Sequence, residues 1–308
     1  LARKEGVDFI LALGGGSAID SAKGIAVGLA HPDRDVWDFY SGASTPTSAA
    51  AVGVVLTLAA SGSETSKSSV VSRDEDGSKR PLNDELIRPR FAVMNPELTA
   101  TLPPYQSASG IVDIMSHVLE RYMSAEPGGD VTGMMSEGLL RAVVKNAPVV
   151  MDRPEDYEAR AQIMWAGSLA HSDILGVGRA PDWASHRIEH ELTRYTDIAH
   201  GAGLAVVMPA MMKYVLTDES ERLADLARRV WDVPDEVGDE LEIAREGIDR
   251  MTAFFRSLGV PVRLSEAGIG EELGPKIART TQRSADGIVG GHRRLEPEDI
   301  EAVLHLAR

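Results

Sequence analysis

Residues 7–23 read VDFILALGGGSAIDSAK, and this stretch decides the fold class. Val7 to Leu13 is a short, mostly apolar run that stops at three glycines, the pattern of a buried strand. From Ser17 to Ala30 the apolar residues Ile19, Ala22, Ala26 and Leu29 recur at helical spacing. Strand, glycine turn and helix in that order form one unit of an α/β sheet. Gly14, Gly15 and Gly16 let the backbone approach a ligand closely. The helix N-terminus behind them offers free N–H groups and a positive dipole end, which suit a pyrophosphate. Asp20 and Lys23 lie in the first two helical turns. The pattern is not the GxGxxG fingerprint, and a tight turn without a ligand is the plainer alternative.

Outward from this unit, Leu1 to Gly6 reads as the last turn of a helix closed by glycine, so a segment is expected to precede it. Further strands are expected at Ala51 to Leu58, Ser69 to Ser72 and Arg90 to Met94, with turn chemistry at Asp74-Glu75-Asp76-Gly77. After Pro104 the strand signals fade. Helical periodicity then runs to Arg308, punctuated by Pro154, Pro181, Pro209, Pro234 and Pro261. The expected organisation is an α/β domain over residues 1–105 and an all-α domain over residues 106–308. The acidic stretch Asp232 to Glu242 reads as a solvated face.

Composition removes several classes of function. With 308 residues, 43% hydrophobic and 26% charged, the chain is globular rather than disordered. No apolar run reaches the ~18 residues of a membrane helix. The formal charge is −15, from 47 acidic against 32 basic residues, with no basic cluster, which argues against nucleic acid as a partner. There is no cysteine, so disulfides, thiolate zinc sites and a cysteine nucleophile are excluded, and a reducing cytoplasm fits.

The remaining polar signals are ambiguous one at a time. Thr57 ends the second strand, and Ser61-Gly62-Ser63-Glu64-Thr65 follows where an α/β sheet places its ligand crevice. Lys79 follows a hairpin-like turn and reads by itself as a solvated lysine. Asp113 and His117 are four apart in a helix from Tyr105 to Met123, on the side away from the apolar stripe Ile111, Met115, Val118 and Tyr122. Alone, that side reads as solvent-facing. His186 and His190 are also four apart, on a helix that Asp182 can cap, and His200 follows in a loop before the apolar helix Leu204 to Val215. Three of eight histidines thus fall within fifteen residues. Imidazole and carboxylate are good ligands for zinc or ferrous iron, and an Asp/His pair with two more histidines would make a four-ligand site. Helix caps and surface histidines are the alternative. A competing pattern, His186-Arg187-Ile188-Glu189-His190, matches the H-x-x-E-H of inverted zinc proteases, with Glu189 as general base.

Taken together, GGGSAIDSAK (14–23), LTLAASGSET (56–65), DIMSH (113–117), DWASHRIEHEL (182–192) and DIAHG (197–201) resemble the iron-containing alcohol dehydrogenase family. The likeness is greatest to the branch of butanol dehydrogenases and broad aldehyde reductases, and it runs over essentially the whole chain. It implies an NAD- or NADP-binding α/β domain followed by a helical domain holding one divalent metal, Fe2+ or Zn2+. By motif match the metal ligands are Asp113, His117, His186 and His200. Gly14, Gly15, Gly16, Ser17 and Asp20 match the phosphate cradle. Thr57, Leu58, Ser61 and Lys79 match the ribose and nicotinamide region, and Leu98 and Thr101 match further cofactor contacts. His190 matches a histidine near the nicotinamide and substrate.

The resemblance also implies a homodimer acting on a small aldehyde or alcohol. Two departures stand out. Relatives carry a further leading segment that holds the first strands of the nucleotide domain and the positions choosing NAD or NADP, so this choice is not legible here. Ser61 stands where many relatives have threonine, and both supply a hydroxyl. The expected reaction is reversible hydride transfer between nicotinamide and a metal-polarised carbonyl, with His190 relaying the proton. The alternatives are a polyol dehydrogenase or cyclising synthase of the same architecture, the H-x-x-E-H metalloprotease, and an inactive fragment.

Overall fold

The computed structural model describes residues 1–124, 126, 128–281, 289–291 and 293–308. Strand β1 (Phe9–Gly14) leads through the glycine turn into helix α1 (Gly16–Ala30), and the short α2 (Trp37–Ser41) follows. Strand β2 (Ala51–Leu56) pairs in parallel with β1, Phe9 opposite Ala51, and on its other side with β5 (Phe91–Val93), Gly53 opposite Phe91. Between them, β3 (Ser68–Ser72) and β4 (Lys79–Asn83) form an antiparallel hairpin. Strand β4 is absent from the sequence expectation because Pro81 lacks a ladder N–H and normally marks an edge; in the structure it stands opposite Val70 within the hairpin. The strands expected at 51–58 and 90–94 are shorter than read, and Leu58, just past the end of β2, lines the cleft described below.

Only one face of the three-stranded sheet is covered. Ile19, Ala22 and Ala26 of α1 pack on Ala12, Val52, Val54 and Leu56. On the other face Phe9, Leu11, Leu13, Phe91 and Val93 are exposed, with Phe9 and Phe91 stacked at 5.9 Å. Strand β1 is therefore half-covered rather than buried on both sides as its apolar run suggests. Side chains alternate across a strand, and among the described residues no element lies on the second face.

Beyond residue 103 the described residues form helices: α3 (Pro104–Tyr122), α4 (Asp130–Asp152), α5 (Tyr157–Ala170), α6 (Ala184–Tyr195), α7 (His200–Val215), α8 (Ser220–Trp231), α9 (Glu240–Ser257), α10 (Gly274–Thr280) and α11 (Pro297–Leu306). One continuous core runs through them. Helix α3 is its axis, in contact with α4, α5 and α7. Sixteen successive residues, Ser107 to Tyr122, are buried, so the polar side of α3 does not face solvent as its stripe pattern suggests. Asp113, His117, Glu120 and Ser124 all sit inside. Buried polar groups require partners or ions, and these four define the next question. The stretch 234–240 is exposed, as its acidity predicts.

Candidate metal and dinucleotide site

A cleft of about 1740 Å³ runs between the glycine turn and the helices. At its helical end, one oxygen of Asp113, Oδ1, is the point of convergence. His117 Nε2 lies 3.3 Å from it, His200 Nε2 3.6 Å and His186 Nε2 3.8 Å. Asp113 and His117 are one turn apart on α3 and therefore share a face. His186 comes from the first turn of α6. His200 opens α7 rather than lying in a loop before it. Asp113, His186 and His200 form the compact set, with one ligand atom each within 4.8 Å of the others.

Two buried carboxylates aim these imidazoles. Glu120 Oε1 accepts from both His186 Nδ1 (2.9 Å) and the His186 backbone N–H (3.0 Å). Glu189 accepts from His200 Nδ1 and from the Thr193 hydroxyl. A carboxylate only accepts here, so Nδ1 carries a proton in each ring and Nε2 is the nitrogen left for a metal. This is the outer-shell arrangement of metal-bound histidines. It also disposes of the protease pattern: Glu189 is fully buried, bonded to His200, and does not line the cleft.

Asp113 Oδ1 and His186 Nε2 are buried without a hydrogen-bond partner. Such atoms cost about 1–3 kcal/mol each when unmatched, more when charged. A divalent cation among them removes that cost, so the donor set fits a metal. The charge states agree. Burial works against ionised Asp113, yet His117 and His200 hold its carboxyl well below the usual range. Burial lowers His117 to about 4 despite Asp113, so this imidazole is neutral. Burial also opposes charge on His186, but the bond to Glu120 and the nearby Asp113 carboxylate lift it to about 9, so without a metal Nε2 is protonated as well. A metal there displaces that proton.

Sequence reasoning misses His171. It stands 54 residues from His117 with no helical partner, just past the end of α5. In space its Nδ1 is 3.3 Å from His117 Nε2, and the rings meet at 4.2 Å. Trp183 packs edge-on against His117 (5.7 Å) and His186 (5.1 Å), walling the cleft. His190 faces the cleft, 5.3 Å from the His200 ring; burial, then Lys79 and His200, keep it neutral. Asp182 is not the N-cap of α6 as expected: Trp183, in the left-handed region, holds that position, and Asp182 accepts from Ala184 N–H at 3.3 Å from one residue further out.

At the other end Gly15, Gly16, Ser17, Asp20, Leu58, Ser61 and Lys79 line the cleft. Gly16 opens α1, and a Cβ there would stand 2.5 Å from Ser61 Oγ. Asp20 is also committed internally: its carboxylate accepts from Ser63 Oγ (2.5 Å) and Val70 N–H (2.9 Å). Lys23 Nζ donates to Ser63 O and Oγ, Ser66 O and Ser68 O within 2.9 Å. Part of the glycine motif thus holds the 63–70 loop rather than a ligand. Gly14, Thr57, Leu98 and Thr101 do not line the cleft. Thr57 N–H donates to Gly14 O, and Leu98 is exposed.

The model of the iron-containing alcohol dehydrogenases matches residues 1–96, and that of the C-terminal part of the family matches residues 107–308. The chain belongs to the iron-containing alcohol dehydrogenase family. Among members of this family, NADH-dependent butanol dehydrogenase A of Clostridium acetobutylicum is 40% identical over 97% of this chain and 77% of its own length. The NADPH-dependent aldehyde reductase YqhD of Escherichia coli is 36% identical over 91% of this chain and 72% of its own. The crystal structure of the NADH-dependent butanol dehydrogenase A of Thermotoga maritima superposes with a TM-score of 0.95 at 34% identity, covering 99% of this chain and 78% of that one. The family thus accounts for the α/β portion with its glycine turn and for the helical portion with its histidines. No described helix is long and apolar enough to cross a membrane.

Proposed function

We propose that this chain is a metal-dependent, NAD(P)-linked alcohol dehydrogenase that works on small aldehydes and alcohols. The observation that carries this reading is the convergence of three imidazole Nε2 atoms on one buried, unpartnered Asp113 oxygen, in the same cleft as the glycine turn. Asp113, His117, His186 and His200 are the ligands of the reading. The domains are 1–105 for dinucleotide and 106–308 for metal and substrate. When bound, the metal (Fe2+ or Zn2+) supplies Lewis acidity toward a carbonyl oxygen and the nicotinamide supplies hydride.

The chain's own residues do the rest. Gly15, Gly16 and Ser17, at the start of α1, take the pyrophosphate, with Asp20 beside them. Leu58, Ser61 and Lys79 line the route toward the helices, with Gly14, Thr57, Leu98 and Thr101 supporting from behind. Glu120 and Glu189 fix two imidazoles so that their lone pairs need no reorganisation. Trp183 and His171 exclude water from one side. His190, open to the cleft and next to His200, passes a proton between solvent and the alcohol oxygen through its ring nitrogens. A cytoplasmic homodimer completes the reading.

The test is elemental analysis of the purified protein together with oxidation of NADH and NADPH in the presence of butanal. About one zinc or iron per chain and aldehyde-dependent oxidation support it. Absence of metal after reconstitution overturns it.

A further inference from the structure

The row of α3 that carries Asp113 and His117 continues one turn on to Arg121. Helical side chains lean toward the N-terminus, and Arg121 does so: its Nη1 donates to His117 O at 2.9 Å. The guanidinium carbon sits 4.8 Å from the centre of the Trp183 ring, the same ring that packs against His117 and His186. Arg121 is only 5% exposed, yet it lines the cleft.

A guanidinium buried to this extent normally faces a carboxylate. Among the described residues no acidic group pairs with Arg121, and its Nε and Nη2 donate no hydrogen bond. The two carboxylates whose charge bears on it are engaged elsewhere. Asp173 meets Arg88 at 3.0 Å and Lys67 at 3.5 Å, and Glu120 holds His186. Lys67 and Arg88 already engage Glu85 and Asp173. The cleft wall beside the metal ligands therefore carries an uncommitted cation on an aromatic face.

We propose that Arg121 is a specificity-determining residue that selects an aldehyde bearing a carboxylate at its far end. This rests on the aldehyde reductase reading above. The Nε and Nη2 donors match the two oxygens of a carboxylate, and the Trp183 face backs the methylene spacer. A phosphate dianion wants more donors than one guanidinium with a committed Nη1 supplies. The reaction is the hydride transfer proposed above: the ω-oxo acid takes hydride from the reduced nicotinamide at its carbonyl carbon and a proton at its oxygen, giving the ω-hydroxy acid and oxidised nicotinamide. The carboxylate itself is unchanged.

The test uses the metal-loaded protein. Rates are measured with 4-oxobutanoate, its methyl ester and butanal, and calorimetry measures binding of 4-hydroxybutanoate. The expected result is a kcat/KM at least roughly tenfold higher for the acid than for its ester, expressed mainly in KM. Arg121→Gln lowers that acid-over-ester ratio roughly 10–100-fold and weakens 4-hydroxybutanoate binding, and Arg121→Lys restores part of both. Equal rates on acid and ester in the unmodified protein overturn the proposal. A drop in Arg121→Gln shared equally by acid and ester also overturns it, because Arg121 then only supports His117. If no aldehyde is reduced but 4-hydroxybutanoate binds through Arg121, the aldehyde reductase reading fails and the carboxylate site stands. Loss of both disposes of both.

Discussion

Glu120 and His186 are joined twice: one carboxylate oxygen accepts from the backbone N–H of His186 and from its ring Nδ1, at 3.0 and 2.9 Å. The same atom thus caps the first turn of α6 and sets the tautomer of a proposed ligand. A helix N-terminus leaves such N–H groups free, and here a residue of α3 serves one of them. Glu120→Ala should weaken metal affinity about 10–100-fold, read by competition with a chelator of known affinity. Glu120→Gln, which still accepts through its carbonyl oxygen, should lose less. Equal affinity in all three proteins would remove Glu120 from the site.

Asp113→Asn keeps shape and removes charge. The buried oxygen at the centre of three imidazoles would then no longer offset a divalent ion. Metal content measured by elemental analysis should fall well below one per chain, and butanal reduction should fall with it. Full metal content in Asp113→Asn would place the ion elsewhere.

His190→Ala should lower turnover by roughly 10²–10⁴ while leaving the metal in place, since His190 faces the cleft beside His200 rather than the Asp113 oxygen. Elemental analysis beside the rate measurement separates the outcomes. Loss of metal would make His190 a ligand or a ligand's support, consistent with its closeness to Glu189 and His200.

The legible and illegible parts of this site differ physically. The first strand, glycine turn and helix were readable because period and glycine agree locally. Asp113 with His117, and His186, were readable only as spacings. Their burial was not, because an amphipathic stripe predicts solvent opposite the stripe, whereas α3 is enclosed by α4, α5 and α7. Glu120 and His171 act across the chain, and no local pattern marks them; Glu189 stands in the H-x-x-E-H pattern, which assigns it a base's role rather than its bond to His200. Arg121 was hidden for a different reason: what distinguishes it is the absence of a carboxylate partner among the described residues.

Lys23→Met should destabilise the protein by about 1–3 kcal/mol or more in denaturant unfolding, since the carbonyl oxygens of Ser63, Ser66 and Ser68 then lose their buried donor. Burial lowers Lys23 to about 8, against the pull of Asp20 and Glu64. Its ordinary value is 10.5, so between about pH 8 and 10.5 the unfolded chain holds more protons. This group therefore makes stability rise with pH across that window, and its contribution is flat below it. The Lys23→Met protein should lack that rise. Parallel pH profiles of the two proteins would contradict the assignment.

Gly201 follows His200 where α7 crosses α3. A Cβ at this position would lie 1.8 Å from the backbone oxygen of Ser109, which no side-chain motion relieves. Gly201→Ala should push the helices apart, at a cost of about 1–3 kcal/mol or more, and carry His200 away from Asp113. Thermal unfolding and metal content should fall together. A stable variant with full metal content would show that the crossing yields.

The proposed ligands come from three helices, α3, α6 and α7, separated in the chain but tied at one oxygen. An ion bound there acts as a cross-link as well as a reagent, closing a long loop between residues 113 and 200 and lending its binding energy to the folded state. Any substitution that loosens the ion therefore lowers two quantities at once, the rate and the population of intact protein. Rates of ligand variants become comparable only when each is measured at matched metal saturation and below its own unfolding transition. For this chain the calorimeter belongs ahead of the kinetic assay.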